Sequence, residues 1–491
     1  MNDLFGSSLS GLRRCCGLAA LLLAGCAVGP DYHQPAVAIP TTFKEGVDWQ
    51  RAATDPQAAL SGKWWLAYGD DELTGLVQRA LDANQSIAGA AAAYRLAEAT
   101  VAADRASLFP TITAGLSGTR SRTGTNSSST GASGIGNISG VSGVRNSVSA
   151  TAAADWEPDL WGEVRREIES GKANAQAADA TLAGERLSIA ATVATDYFEV
   201  RQLDLDIDLL KQQQAIDAQL LDMTRAAFAQ GTASSDNVLE AQDTLELVVA
   251  NLQASQTSRE QFEHAIAVLT GVPPAGFSIA PRRDYVFSTP VVPLALPSAL
   301  LERRPDVVSA ERTAAAANAR IGVAKAAFFP ILDLSAEGGF QHNTLAHLFT
   351  LPSRVWTLGP DLAATIFDGG ARTAAVHEAQ ATYDEDVAAY REAVLTAFQN
   401  VEDSLSAWNH LQRQENAFSE VYARNRRLFA SEQAQVAAGT ASEEEELTQQ
   451  LTLLLAQQNL SDTQGALVQA SVGLVRNLGG GWTVGGSPGA R

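Results

Sequence analysis

A bound metal needs several His, Cys, Asp or Glu side chains spaced so that they converge on one point. The six histidines, His33, His264, His342, His347, His377 and His410, form no HExxH and no two-by-two pattern. The five-residue step from His342 to His347 is not a helical ligand spacing. There is no Walker loop, and no Gly-Xaa-Ser-Xaa-Gly stands at a strand-to-helix turn, where a nucleophile elbow must lie. One group does concentrate charge: Glu443, Glu444, Glu445 and Glu446 follow Gly439-Thr440-Ala441-Ser442. Consecutive carboxylates transfer no chemical group. They attract cations, and they are also favoured wherever a helix begins, because its free N–H groups carry partial positive charge. These residues predict a protein that is not an enzyme, with no cofactor and no metal. A formal charge of −20 also argues against nucleic acid as a partner, since phosphates would be repelled.

The cysteines point to a membrane. Cys15 and Cys16 lie in a short apolar run, Cys15 to Ala24, behind the basic pair Arg13-Arg14; the run is too short to span a bilayer and reads as an export signal. It ends in Leu23-Ala24-Gly25-Cys26, which resembles the lipobox of bacterial lipoproteins. That resemblance implies removal of residues 1–25 and lipidation of Cys26, with Ala27 favouring the outer membrane. A mature chain whose one cysteine carries a covalent lipid has no disulfide and no thiolate metal site. No later segment approaches the apolar length of a spanning helix, so any membrane crossing must use a closed β-barrel.

The elements that would position these residues are duplicated. Ala97-Glu-Ala-Thr-Val-Ala-Ala-Asp-Arg-Ala-Ser-Leu-Phe-Pro110 parallels Ala317-Asn-Ala-Arg-Ile-Gly-Val-Ala-Lys-Ala-Ala-Phe-Phe-Pro330. Gly231-Thr232-Ala233-Ser234 recurs as Gly439-Thr440-Ala441-Ser442, and Leu269-Thr270-Gly271 as Leu478-Gly479-Gly480. The chain therefore carries two copies of a unit of roughly 210 residues. Each reads as helix, strand, loop, strand, very long helix, turn and helix. In the first copy a helix from about Asp71 to Leu108 stops at Pro110, Glu163–Gln230 runs without proline, and Ser234–Leu269 returns. The second copy repeats this at about Pro297–Phe329, Glu378–Ala438 and Ser442–Leu478. Val193, Val200, Ile207, Leu221 and Phe228 fall at sevenfold spacing, with Ile189, Leu203 and Leu210 on the complementary position, as packing against another long helix requires. Asp196, Gln214, Asp217 and Thr224 interrupt that seam.

Four strands are predicted: Thr111–Thr119, Ser147–Glu157, Ile331–Phe340 and Val355–Phe367. Each alternates apolar and polar residues over about ten positions, the pattern of a transmembrane barrel. Trp156, Trp161 and Trp356 near strand ends suit an interfacial belt, and Pro360 suggests a bulge or an edge. Four strands cannot close a barrel, so the chain must oligomerise: two copies give eight strands and three give twelve. The Gly-, Ser-, Thr- and Asn-rich stretch 117–147 suits an extracellular loop, with His342–Arg354 as its shorter counterpart.

The domain plan is then a lipoprotein signal at 1–25, an extended lipidated segment at 26–63, a first repeat at 64–270, a crossover at 271–297 that holds six of the 17 prolines, a second repeat at 298–480 and a tail at 481–491. The fold class is mainly α with a transmembrane β-barrel. Segment 27–63 and the Gly-rich tail would pack beside the crossover as a girdle.

Cys26-Ala-Val-Gly-Pro-Asp-Tyr32, Leu296-Pro-Ser-Ala-Leu-Leu-Glu-Arg-Arg-Pro-Asp306, the 316–330 stretch and Ile366-Phe-Asp-Gly-Gly370 resemble hallmark segments of the TolC-like outer-membrane factors. The resemblance is closest to the NodT-type lipoproteins of resistance–nodulation–division (RND) efflux systems, and it covers the mature chain. It implies a homotrimer in outer-membrane lipid, with a 12-stranded barrel and a periplasmic helical tunnel. It also implies docking of the hairpin tips on a periplasmic membrane-fusion adaptor, with an inner-membrane RND transporter as the motor. The tips are Gly231, Thr232, Ala233 and Ser234, and Gly439, Thr440, Ala441 and Ser442. Threefold symmetry would set about twelve carboxylates from Glu443–Glu446 around the entrance. By resemblance, Glu445 takes the place of an entrance aspartate and Asp236 matches an acidic gate position. Ala441 stands where some relatives carry an arginine. A type I secretion duct, a metal-ion efflux channel and, in a different class, a lipid-anchored periplasmic helical scaffold also fit the residue patterns.

Overall fold

The structure is a computed structural model, describing residues 27–46, 62–122, 144–290 and 303–480. Helices α1 (Asp71–Ala83) and α2 (Gln85–Ala106) lead to strands β1 (Thr111–Arg122) and β2 (Val144–Trp156), then to α3 (Glu163–Ala229) and α4 (Ser235–Leu269). The second set runs α5 (Pro305–Ala326), β3 (Ile331–His342), β4 (Arg354–Ala363), α6 (Ala371–Ala437) and α7 (Glu443–Asn477). The internal duplication extends to helix length: α3 and α6 have 67 residues each, α4 and α7 have 35 each, and α2 and α5 have 22 each. At 1.5 Å per residue each of the two longest helices measures about 100 Å.

One expected helix proves to be two. The sequence predicts Asp71–Leu108 as continuous, yet the helix breaks at Asn84, whose backbone is extended. Its Oδ1 accepts from the N–H groups of Ser86 and Ile87 at 2.9 and 3.2 Å, capping α2, while Nδ2 donates to the Leu269 carbonyl at 3.0 Å. These side-chain bonds replace the interrupted helix ladder.

Two compact units emerge, each drawing on both repeats. One takes in Met1–Gln34, Leu96–Ala175 and Thr313–Asp386 and holds the strands; the other takes in Pro35–Arg95, Gln176–Arg312 and Val387–Arg491 and holds the helical hairpins.

In the first unit the strands form one antiparallel sheet in the order β1-β2-β3-β4. Its register sorts the faces. Leu116 pairs with Ala150, Ala150 with Phe340 and Phe340 with Arg354; one step along, Ala114, Ala152, Gly338 and Trp356 align in the same way. Paired residues share a face, so Ile112, Leu116, Ala152, Leu332, Leu334, Trp356, Leu358 and Leu362 make a continuous apolar surface. It is uncovered within the chain: Ile112, Leu116, Trp356 and Leu358 are 75, 73, 79 and 73% exposed. The opposite face holds Thr113, Ser117, Thr151, Asp155, Asp333, Glu337 and Asp361, with a Ser117–Ser149 hydroxyl bond at 2.8 Å. Gly339 lies on that face, where a Cβ would come within 2.2 Å of the Ala150 carbonyl. Its lack of a side chain lets the sheet coil at that point.

Pro360 pairs opposite Leu334 without a bulge, in the strand that forms one edge of the sheet within the chain. Trp156 remains 39% exposed, but Trp161 is not part of a lipid belt. It stacks on Phe329 at 4.7 Å and donates to the Pro330 carbonyl at 2.7 Å, bracing the base of the sheet. All four strands differ from prediction at their ends. Ladder bonds carry β1 through Arg122, begin β2 at Val144 and end β4 at Ala363.

In the second unit α3 lies between α4 and α7. Ile207 and Leu210 pack on Val248 and Leu252 of α4, and Leu209 and Ile216 on Leu447 and Leu454 of α7. Of the expected seam, Val193 and Val200 are fully buried, whereas Phe228 is 50% exposed, because the seam opens near the turn. Residues 43–46 are pinned to α6: Glu402 accepts from the backbone of Lys44 and Glu45 at 2.7 and 2.9 Å, and Asn409 donates to the Glu45 carbonyl.

Candidate functional site

Both hairpin turns are built alike. Gly231 and Gly439 adopt φ of 75° and 73°, a left-handed backbone that a Cβ would strain. The following amides close each helix, Thr232 N on the Ala227 carbonyl and Thr440 N on the Gln435 carbonyl, both at 2.9 Å. Their hydroxyls reach the same carbonyls. The returning helices open with capping boxes, Ser234 with Asn237 and Ser442 with Glu445. Gly231, Thr232 and Ser234 are exposed and Ala233 half-buried; Gly439, Thr440 and Ser442 are exposed and Ala441 half-buried. The two tips therefore offer near-identical polar surfaces.

The acidic run divides by role. Ser442 donates to Glu445 Oε2 from its backbone at 2.7 Å and from its hydroxyl at 3.0 Å, which holds the Glu445 carboxyl below the usual carboxylate range. Glu445 is thus committed to the cap. Glu443 and Glu444 are exposed beside it, Glu446 is half-buried and Asp236 is exposed in the first turn of α4. Cys26 lies outside the described residues. Two positions on, Val28 N donates to the Trp161 carbonyl at 3.0 Å at the base of the sheet, and Asn318 Nδ2 donates to the Pro30 carbonyl at 3.1 Å. Gly29 and Gly322 meet so closely that a Cβ on Gly29 would fall 2.5 Å from the Gly322 Cα. The quoted 316–330 stretch thus clamps the segment that follows Cys26.

Two polar clusters of the second unit were not anticipated. Arg201 is fully buried; it donates to Glu72 and Asp204 at 2.7 Å each and to the Ala280 carbonyl at 2.8 Å, with its guanidinium 4.8 Å from the Tyr197 ring centre. Asp204 also accepts from Arg259 at 2.6 Å. In the other cluster, Gln202 Nε2 donates to Asp462 at 2.6 Å and to Asp206 at 3.2 Å. Burial, and then the neighbouring Asp462, push the Asp206 carboxyl up to about 7; burial also raises Asp462. The only sequence signal for either was charge inside an apolar seam. Among the described residues no three His, Cys, Asp or Glu converge to hold a metal ion, although the His342 and His347 rings lie 5.6 Å apart in the β3–β4 loop.

A sheet with a bare apolar face and open edges, joined to helices of about 100 Å, is the protomer of a membrane duct. Known proteins agree. The family model for the Outer membrane efflux protein matches residues 76–272 and 296–480. The probable efflux pump outer membrane protein TtgC of Pseudomonas putida is 29% identical over 473 residues, covering 95% of this chain and 94% of the relative. The pyoverdine export outer membrane protein OpmQ of Pseudomonas aeruginosa is 32% identical over 471 residues, covering 94% and 96%. The outer-membrane channel OprN superposes with a TM-score of 0.81 at 25% identity, over 93% of this chain and 99% of that one. The chain belongs to the outer membrane efflux protein family. It is a passive outer-membrane channel subunit rather than an enzyme, its helical part is periplasmic, and its barrel is formed by trimerisation.

Proposed function

We propose that this protein is the exit duct of a tripartite RND-type efflux system, passing small molecules from the periplasm to the exterior. The observation that carries the reading is the pair of matched, exposed Gly-Thr-Ala-Ser turns at the ends of the two long hairpins. A periplasmic membrane-fusion adaptor docks there, and an inner-membrane RND transporter supplies the energy. The names of TtgC and OpmQ, an efflux pump protein and a pyoverdine export protein, support small-molecule cargo over a secreted polypeptide. A lipid on Cys26 adds an anchor, supported by the clamp on residues 28–30 at the base of the sheet.

The entrance is an acidic ring of Glu443, Glu444, Glu446 and Asp236, three copies of each, with Glu445 held back by its cap. Neutralising the four to Gln and Asn is expected to lower cation selectivity, read as a smaller reversal potential under a KCl gradient in planar bilayers. An unchanged potential discards the ring. For docking, Ala233→Asp with Ala441→Asp should abolish efflux in cells while heat-modifiable trimers persist; full efflux would refute the adaptor site.

A further inference from the structure

The apolar face of the sheet does not end in neutral residues. Continuing outward along β1 on that face come Arg120 and Arg122, paired with Asn146 and Val144, and β4 opens on the same face with Arg354, paired with Phe340. All three guanidinium groups are exposed. None makes an ion pair or a side-chain hydrogen bond among the described residues. The helices leave the sheet from its other end, and since they are periplasmic, these arginines sit at the outer rim.

Nothing among the described residues neutralises them. No carboxylate occurs between Asp104 and Asp155 or between Glu337 and Asp361, so the two outer loops, whatever their conformation, cannot supply one. This rim is uniformly cationic in a chain whose formal charge is −20. The arginines also gather at one seam. β1 and β4 are the two edges of the sheet, and closing the barrel seats β4 of one chain beside β1 of the next. Arg354 of one subunit therefore lies along the same seam as Arg120 and Arg122 of its neighbour, and like charges on one seam repel unless an anion lies between them. On the same face, beside and below these arginines, Leu116, Phe340, Trp356 and Leu358 face acyl chains, so the anion that meets this collar is attached to a lipid.

We propose that Arg120, Arg122 and Arg354 form a phosphate-binding collar, one cluster per subunit seam, that seats phosphorylated glycolipid headgroups of the outer leaflet. Guanidinium suits the task because its planar donors bind phosphate oxygens in pairs. The collar fixes the depth of the barrel in the membrane, and by bridging adjacent subunits the bound headgroup stabilises the trimer.

The test uses the full lipidated trimer in neutral detergent, titrated with lipid A bearing both phosphates and followed by native mass spectrometry. Parallel arms use the same lipid A stripped of phosphate, phosphatidylglycerol and inorganic phosphate. Arg120→Gln/Arg122→Gln/Arg354→Gln is expected to weaken phosphorylated lipid A binding by about tenfold or more, while Arg145→Gln, on the opposite face, leaves it unchanged. The triple lysine variant keeps the charge but loses the paired donors, so its binding should fall between wild type and the glutamine variant; it carries the test if the glutamine variant fails to assemble. Equal binding by wild type and whichever variant assembles would overturn the proposal. So would equal affinity for phosphate-free lipid A, or displacement of lipid A by inorganic phosphate at matched concentration.

Discussion

A single step along β2 separates lipid from lumen, which makes an arginine placed at Ala152 or Ala153 a sharp test of the barrel. Ala152 is exposed on the apolar face, and its cross-strand partners Ala114 and Gly338 are too small to obstruct a long side chain. Ala152→Arg therefore meets no clash, and its whole cost is that of a cation in hydrocarbon, about 2–4 kcal/mol near the midplane. Three copies per barrel bring this to about 6–12 kcal/mol, comparable with the entire stability of an ordinary folded protein. Ala153→Arg faces the other way, opposite Glu337, and gains a cross-strand ion pair of up to about 1 kcal/mol. The assay is folding from urea into phosphatidylcholine vesicles, read by heat-modifiable trimer mobility and protease protection. The Ala153 variant should fold like wild type and the Ala152 variant should leave little or no protected trimer. Equal folding of the two, or the reverse order, would refute the assignment of faces.

Two further outcomes concern the helical unit. The folded Asp206 carboxyl titrates at about 7 and an unfolded one near 4, so the folded state binds that proton more tightly. Its contribution to stability is complete below about pH 4 and is lost as pH rises toward 7. Asp206→Asn should thus stabilise the fold at pH 8 by on the order of 1–2 kcal/mol after allowance for partial solvent screening, read as a higher thermal midpoint, and much less at pH 5; a pH-independent difference would contradict this. Arg201→Met strands Glu72 and part of Asp204, and should cost about 3 kcal/mol, the lower end of the range for a broken buried pair, because Arg259 still holds Asp204. Adding Glu72→Gln should recover part of that loss in a double-mutant cycle, and strictly additive costs would remove the coupling.

What could be read from the sequence followed from period and punctuation. Pro110 and Pro330 mark element ends because proline lacks the N–H a helix needs, Gly231 and Gly439 because glycine freely takes the left-handed backbone that ends one, and the matching Gly-Thr-Ala-Ser turns make the repeat legible in the sequence. Strand faces were legible because alternation survives in every register. The break at Asn84 was not, since asparagine also sits inside helices here, and the bond from its amide to the Leu269 carbonyl comes from a residue far along the chain. Nor were the Arg201 and Gln202 clusters, whose members lie far apart in the chain. Phe228 was misjudged because heptad spacing gives periodicity but not where the partner helix ends. At the acidic tip the run was evident, yet the diversion of Glu445 into the cap depends on a rotamer.

The equal lengths of α3 and α6, and of α4 and α7, carry a consequence for how such chains diverge. An added heptad in one hairpin would carry its turn about 10 Å beyond its counterpart, so the two halves would no longer offer a level surface to whatever they meet. Viable insertions must then arrive in pairs, one in each half, or be confined to the outer loops, where length is free. The ancestral duplication thereby acts as a ruler that each half holds against the other.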